Sequence, residues 1–142
     1  MGHLSGQDMT RLRLITIGYA IVLWLAASLN YIPGVADENG VVFGIFVLDP
    51  FDDALHIFSG LWALLACYLS QSATRKFLLI FGALYLGDGV FGFFTGFGYL
   101  DFGIFTNEPL GLEFTLGRFL ANLPHIVLGT FALWANRNWA NF

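Results

Sequence analysis

Four long apolar runs govern what this chain can become: residues 14–32, 53–70, 77–97 and 118–136. Each is close to the ~20 residues a helix needs to cross the hydrocarbon of a bilayer. Charged side chains are largely confined to the gaps between the runs. Only 11% of the residues are charged and 57% are hydrophobic, with 16 Phe and a mean hydropathy of +0.71. Soluble domains carry roughly 25% charged residues, and a soluble fold of 142 residues could not cover this much apolar surface. The expected solvent is lipid. The expected fold is an all-α membrane protein, a four-helix bundle of four transmembrane helices forming one domain over residues 1–142.

Local signals set the boundaries. Residues 1–13, with His3, Arg11 and Arg13, read as a short flexible arm. The first run ends near Asn30, before Pro33-Gly34. Two arginines ahead of an apolar segment ending Ala26-Ala27-Ser28 also fit a cleaved signal peptide. The repeat described below needs this run as a helix, which favours its retention in the mature chain. In the first connection, Asp37-Glu38-Asn39-Gly40 is a turn signal. Val41 to Leu48 is apolar but too short to span, and fits an interfacial segment or one strand of a small hairpin. Asp52 or Asp53 is placed to cap the second run. Residues 71–76 read as a turn. Gly92 and Gly96 in the third run have the four-residue spacing that lets helices approach closely in lipid. Pro124 falls in the first turns of the fourth run, where a missing amide is tolerated or gives a modest bend.

Charge sets the expected orientation. Arg11, Arg13, Arg75, Lys76 and Arg137, five of the six basic residues, lie on one side of a four-span arrangement. The two opposite connections hold Asp37, Glu38, Asp49, Asp52, Asp53, Asp101, Glu108 and Glu113, with Arg118 the single basic residue there. The excess of Lys and Arg on cytoplasmic loops then predicts a multi-pass protein of the cell inner (plasma) membrane with both termini cytoplasmic. The expected surroundings are the lipid bilayer, together with other membrane subunits or a second copy of the chain. Six basic residues that form no patch argue against nucleic acid as a partner. The single cysteine, Cys67, allows neither a disulfide framework nor a cysteine-based zinc site, and reads as a small packing residue.

The chain reads as one plan used twice. Phe43-Gly44-Ile45-Phe46 recurs as Phe102-Gly103-Ile104-Phe105, and Asp49-Pro50 as Glu108-Pro109. Asp53-Ala54-Leu55-His56-Ile57 with Gly60 recurs as Asn122-Leu123-Pro124-His125-Ile126 with Gly129. The two repeats cover about 14–70 and about 77–136. Two spans separate equivalent helices, so the repeat is parallel and not inverted. With these motifs, the Arg75-Lys76 turn and Leu84-Tyr85-Leu86, the chain resembles a bacterial family of four-helix integral membrane proteins classed as a domain of unknown function. That family carries a repeated Asp/Asn-x-x-His-x-x-x-Gly motif. The resemblance covers about residues 14 to 136 and implies a bacterial inner-membrane location and no established activity. The chain departs from the pattern at Pro124 and in its longer second connection.

His56 and His125 are the first candidates for chemistry. Asp52 and Asp53 lie on the face of His56, and Asn122 is one turn before His125. Gly60 and Gly129, one turn deeper, leave room beside each imidazole for another helix or a planar ligand. In one reading, each histidine bonds a neighbouring group and ties the bundle together. In the other, the two imidazoles face inward and form a shared site. Two histidines on two helices can ligate haem b axially, and with Asp52 or Asp53 they can hold a divalent metal such as zinc. Asp88, near mid-membrane between Gly87 and Gly89, is a second candidate, with Arg118 its expected partner in a polar network or proton relay. No motif of a soluble enzyme is present: the Gly-x-Ser-x-Gly and His-Glu-x-x-His patterns, a phosphate-binding Gly-Lys-Ser/Thr loop and a dinucleotide fingerprint are all missing. The function expected first is a non-enzymatic polytopic membrane protein acting as an accessory or scaffold component. The alternative is a redox or ion-handling membrane protein.

Overall fold

The structure, a computed structural model, describes residues 6–108 and 110–140. In order it contains α1 (Gly6–Ser28), a 3-10 turn (Leu29–Tyr31), β1 (Val41–Val42), β2 (Phe46–Val47), α2 (Pro50–Leu69), α3 (Gln71–Thr95), α4 (Gly103–Thr106) and α5 (Leu116–Ala140). The chain is mostly helical. Three segments, Thr10–Tyr31, Gln71–Thr95 and Leu116–Trp139, are helical, long and apolar enough to cross a membrane. Helix α2 has the length, but its first two turns carry Asp52, Asp53 and His56, and it is not among the three.

Several boundaries move for identifiable reasons. The expected arm is helical from Gly6, because no helix breaker precedes the first run and Leu12 packs fully into the core. Arg11 and Arg13 therefore sit on α1. His3, Pro109 and Phe142 lie outside the described residues. Neither Asp52 nor Asp53 caps α2. Asp49 does, its carboxylate accepting from the amides of Phe51 (2.8 Å) and Asp52 (3.0 Å). Asp52 returns the interaction by accepting from the Asp49 amide at 3.1 Å. This is a capping box, with Pro50 in the first turn where its missing amide costs nothing.

The expected turn at 71–76 is absorbed into α3. Helices α2 and α3 meet at a single extended residue, Ser70, whose hydroxyl accepts from the Ala73 amide at 3.0 Å. Thr74 then donates to the Ala66 carbonyl at 3.2 Å, fastening the two helices as a tight antiparallel pair. Arg75 and Lys76 thus begin a helix. The apolar stretch after the first turn signal does form a hairpin, with Val41 opposite Val47 and Val42 opposite Phe46. Phe43 at its tip has φ +53°, and Phe102, its counterpart in the second tetrapeptide, has φ +62°. Few phenylalanines adopt this left-handed backbone.

Helix α3 is central. Thr74, Phe77, Leu78, Phe81, Gly82, Tyr85, Asp88, Gly89 and Gly92 form a buried stripe at three- and four-residue spacing. Along it Phe77, Phe81 and Tyr85 stack at 5.0 and 4.0 Å between ring centroids, and Tyr19 of α1 meets Phe81 edge-on at 5.0 Å. Helix α1 packs chiefly on α2, and α3 on α5. The α3–α5 contact is a glycine seam. A side chain on Gly82, Gly89 or Gly92 would strike α5, and one on Gly129 would strike the α3 backbone. The expected Gly92–Gly96 pair does not act as a unit, since Gly96 ends α3 in a left-handed cap at φ +91°.

Candidate functional site: a histidine and aspartate cavity

The sequence places Asp88 on the buried stripe of α3, one turn above Tyr85. In the fold it is 2% exposed, and its carboxylate has three partners. One oxygen accepts from the amides of Tyr99 (2.6 Å) and Leu100 (2.8 Å). The other lies 2.6 Å from Nδ1 of His125 on α5. Gly98 allows this wrapping, because a Cβ there would run into the carboxylate. Asp88 therefore fixes the connection after α3, and the start of α5, to one point. Tyr99 is held as well, its hydroxyl donating to the Leu84 carbonyl at 2.8 Å. Burial and the nearby Asp88 carboxylate raise the Tyr99 phenol above its ordinary pKa.

His125 meets two further rings. Tyr85 lies beneath it at 4.8 Å, and His56 of α2 faces it edge-on at 6.2 Å between centroids. The Tyr85 hydroxyl donates to Ser59 on α2 at 3.3 Å. His56 is 6% exposed, and its Nδ1 is buried without a hydrogen-bond partner. An unsatisfied buried polar atom costs about 1–3 kcal/mol, so this ring is the least settled group of the cluster.

The cluster borders a cavity of about 410 Å³. Its rim comes from both connections, residues 45–48 of the hairpin and 96–98 after α3, so the two acidic connections lie at the same end of the bundle. Phe51 and Phe102 touch there, edge to face, at 5.8 Å. The polar lining is Asp52, His56, Asp88, Asp101, Asn122 and His125, and the remainder is glycine or apolar. Beyond His125, Tyr85, Phe81 and Phe77 stack in a column along α3.

The expected site residues divide as follows. His56, His125, Asp52, Asp88 and Asn122 are brought together. Asp53 is not part of the lining; it accepts from the Tyr31 hydroxyl at 3.0 Å. Asn122 does not bond His125. Its amide donates to the Arg118 carbonyl at 2.8 Å, and its oxygen occupies the space that a Cβ on Gly92 would need. Arg118 is not the partner of Asp88. It donates to the Gly111 carbonyl at 2.8 Å and lies 3.6 Å from Glu113, because the second connection folds back over the start of α5. Asp101, counted from sequence only among the acids of the connections, lines the cavity. Its one available signal was its position just before the second Phe-Gly-Ile-Phe.

The room expected beside each histidine belongs to helices. A Cβ on Gly60 would overlap the Trp24 indole of α1, and one on Gly129 the backbone of α3. A porphyrin laid over either of these glycines would have to displace them. Among the described residues no three His, Cys, Asp or Glu side chains form a group that could hold a metal ion. Comparison of the chain with protein-family models, with curated proteins and with solved structures finds no match.

Proposed function

We propose that this chain is a non-enzymatic accessory protein of the cell inner membrane. In this reading four spans in two parallel repeats carry a proton-accessible histidine and aspartate cavity at the outer end. The observation that carries the functional part is the Asp88–His125 pair, 2.6 Å apart, sharing a cavity with the unpartnered His56. Ionisable groups within spans are expensive, and their presence marks function or specific packing. A binding role is favoured over transport by the buried aromatic column of α3 that is packed beyond the cavity. Two features support duplication: the matched left-handed Phe43 and Phe102, and the pairing of α1 with α2 and of α3 with α5. The resemblance to the bacterial four-helix family points the same way.

The proton-accessible cavity is tested by nitrogen NMR of histidine-labelled protein in lipid nanodiscs, read for exchange of ring N–H protons with water. The His56 and His125 signals, assigned with single substitutions, are expected to show that exchange, since both rings line the cavity. Two rings that show none would overturn the reading.

Topology has its own test. Alkaline phosphatase, active only outside the cytoplasm, is expected to be active when inserted after Gly40 and inactive between Ser70 and Gln71 or at the C-terminus. Activity at Ser70 would mean that α2 does not span, leaving the three helices of sufficient length and hydropathy.

A further inference from the structure

We propose that the cavity binds an amphiphilic organic cation, a protonated amine attached to a compact apolar body. This rests on reading the cavity as accessible from the outer end. Its walls are apolar, with Val22, Leu29, Phe46 and Phe97 among them. Its ionisable lining consists of three aspartates and two histidines, with no lysine or arginine. Arg118, the nearest candidate counter-ion, is directed to Glu113 and the Gly111 carbonyl. The Asp88 charge is met by His125 and two amides. Asp52 and Asp101 are less fully bonded: each accepts from one backbone amide, of Asp49 at 3.1 Å and of Gly103 at 2.9 Å.

A second observation points independently to a ligand. His56 is more than nine-tenths buried, lines the cavity and makes no hydrogen bond, with Nδ1 orphaned. An anion would find no cationic partner here, and a neutral apolar molecule would leave two carboxylates and an imidazole unpaired. A divalent metal has no three-ligand group among the described residues. An ammonium head supplies donors and charge to Asp52 and Asp101, and the rings of Phe46 and Phe97 suit both its body and its charge. At ~30 Å³ per water-sized unit, 410 Å³ holds on the order of a dozen non-hydrogen atoms.

The test uses the full chain in nanodiscs of zwitterionic lipid and three probes of one shape: 4-phenylbutylamine, the neutral 4-phenylbutanol and the anionic 4-phenylbutyrate. At saturation the amine is expected to raise Tm by about 3 °C or more, and the other two by less than about 1 °C. Asp52→Asn and Asp101→Asn both keep an oxygen for their backbone amides. The double variant is expected to retain the ligand-free Tm and bind the amine at least about tenfold more weakly. If the double variant does not fold, Asp101→Asn alone must weaken the amine by about threefold. Alcohol binding equal to amine binding, preference for the carboxylate, no shift with any probe, or an unchanged response in the variants each overturns the proposal. Histidine rings that exchange with water in a protein that ignores the amine would remove this inference and leave the proton-accessible cavity standing. Rings that do not exchange would remove that parent reading.

Discussion

Replacing Asp88 by alanine is expected to destabilise the protein by about 3–5 kcal/mol, measured by reversible unfolding in mixed micelles. Three groups lose their partner at once: the amides of Tyr99 and Leu100, and His125. Alanine is too short to reach any of them, and the site is too buried for water to replace the carboxylate fully. Asp88→Asn is expected to cost only about 1–2 kcal/mol, since its oxygen still accepts from both amides and its NH₂ can donate to a neutral His125. A cycle with His125→Ala separates the contributions. The double variant Asp88→Ala with His125→Ala should cost less than the sum of the singles by about 1 kcal/mol or more, because one interaction is counted in both. An Asp88→Ala protein within about 1 kcal/mol of wild type would mean that the carboxylate does not anchor the connection as its hydrogen bonds imply.

Much of this arrangement was legible in the sequence, and the parts that were not share a physical cause. Apolar runs of near-spanning length announce helices, and Phe77, Phe81, Tyr85 and Asp88 already show which face of α3 is buried. The two histidines could be placed together from their matching positions in two similar stretches of sequence, and their rings do meet. The partner of Asp88 could not be read this way. Charge counting proposed Arg118, the one basic residue at that end. The fold instead uses a neutral-capable imidazole and two loop amides, and hydropathy and charge patterns carry no information on backbone donors. Helix ends failed for a related reason. Asp49, Asp52 and Asp53 are all acceptable caps by type, and only Pro50, which prefers the first turn, singles out Asp49. Asp101 was not singled out from the other acids of the connections. Its role depends on two connections folding over the same end, which is a tertiary fact.

Gly129→Ala is the second large effect, and it is expected to cost about 3 kcal/mol, against about 1 kcal/mol for the matching Gly60→Ala. By sequence the two glycines are equivalent, each four residues after a histidine. By structure they are not. The atoms that a Cβ on Gly129 would meet are backbone: the Leu86 nitrogen and Cα and the Gly82 carbonyl oxygen. Backbone inside a helix cannot swing aside, so α3 and α5 must separate along the whole seam. Separation would also draw His125 away from Asp88, coupling a packing change to the polar site. The atoms facing Gly60 belong to the Trp24 indole, a side chain that can rotate, at the loss of its hydrogen bond to the Ile57 carbonyl (3.2 Å). Gly18→Ala, with nothing within 4 Å of the added methyl, serves as the internal control. It should be neutral or stabilising by up to about 1 kcal/mol, the ordinary helical gain of alanine over glycine. Equal costs at Gly60 and Gly129 would show that the two halves pack alike. The expected inequality means that the same motif serves two contacts, a ring laid on a helix in the first half and a helix laid on a helix in the second. That closer approach is what brings Asp88 within reach of His125, and the first half has no counterpart to that pair: His56 has no acid bonded to it and is left facing the cavity.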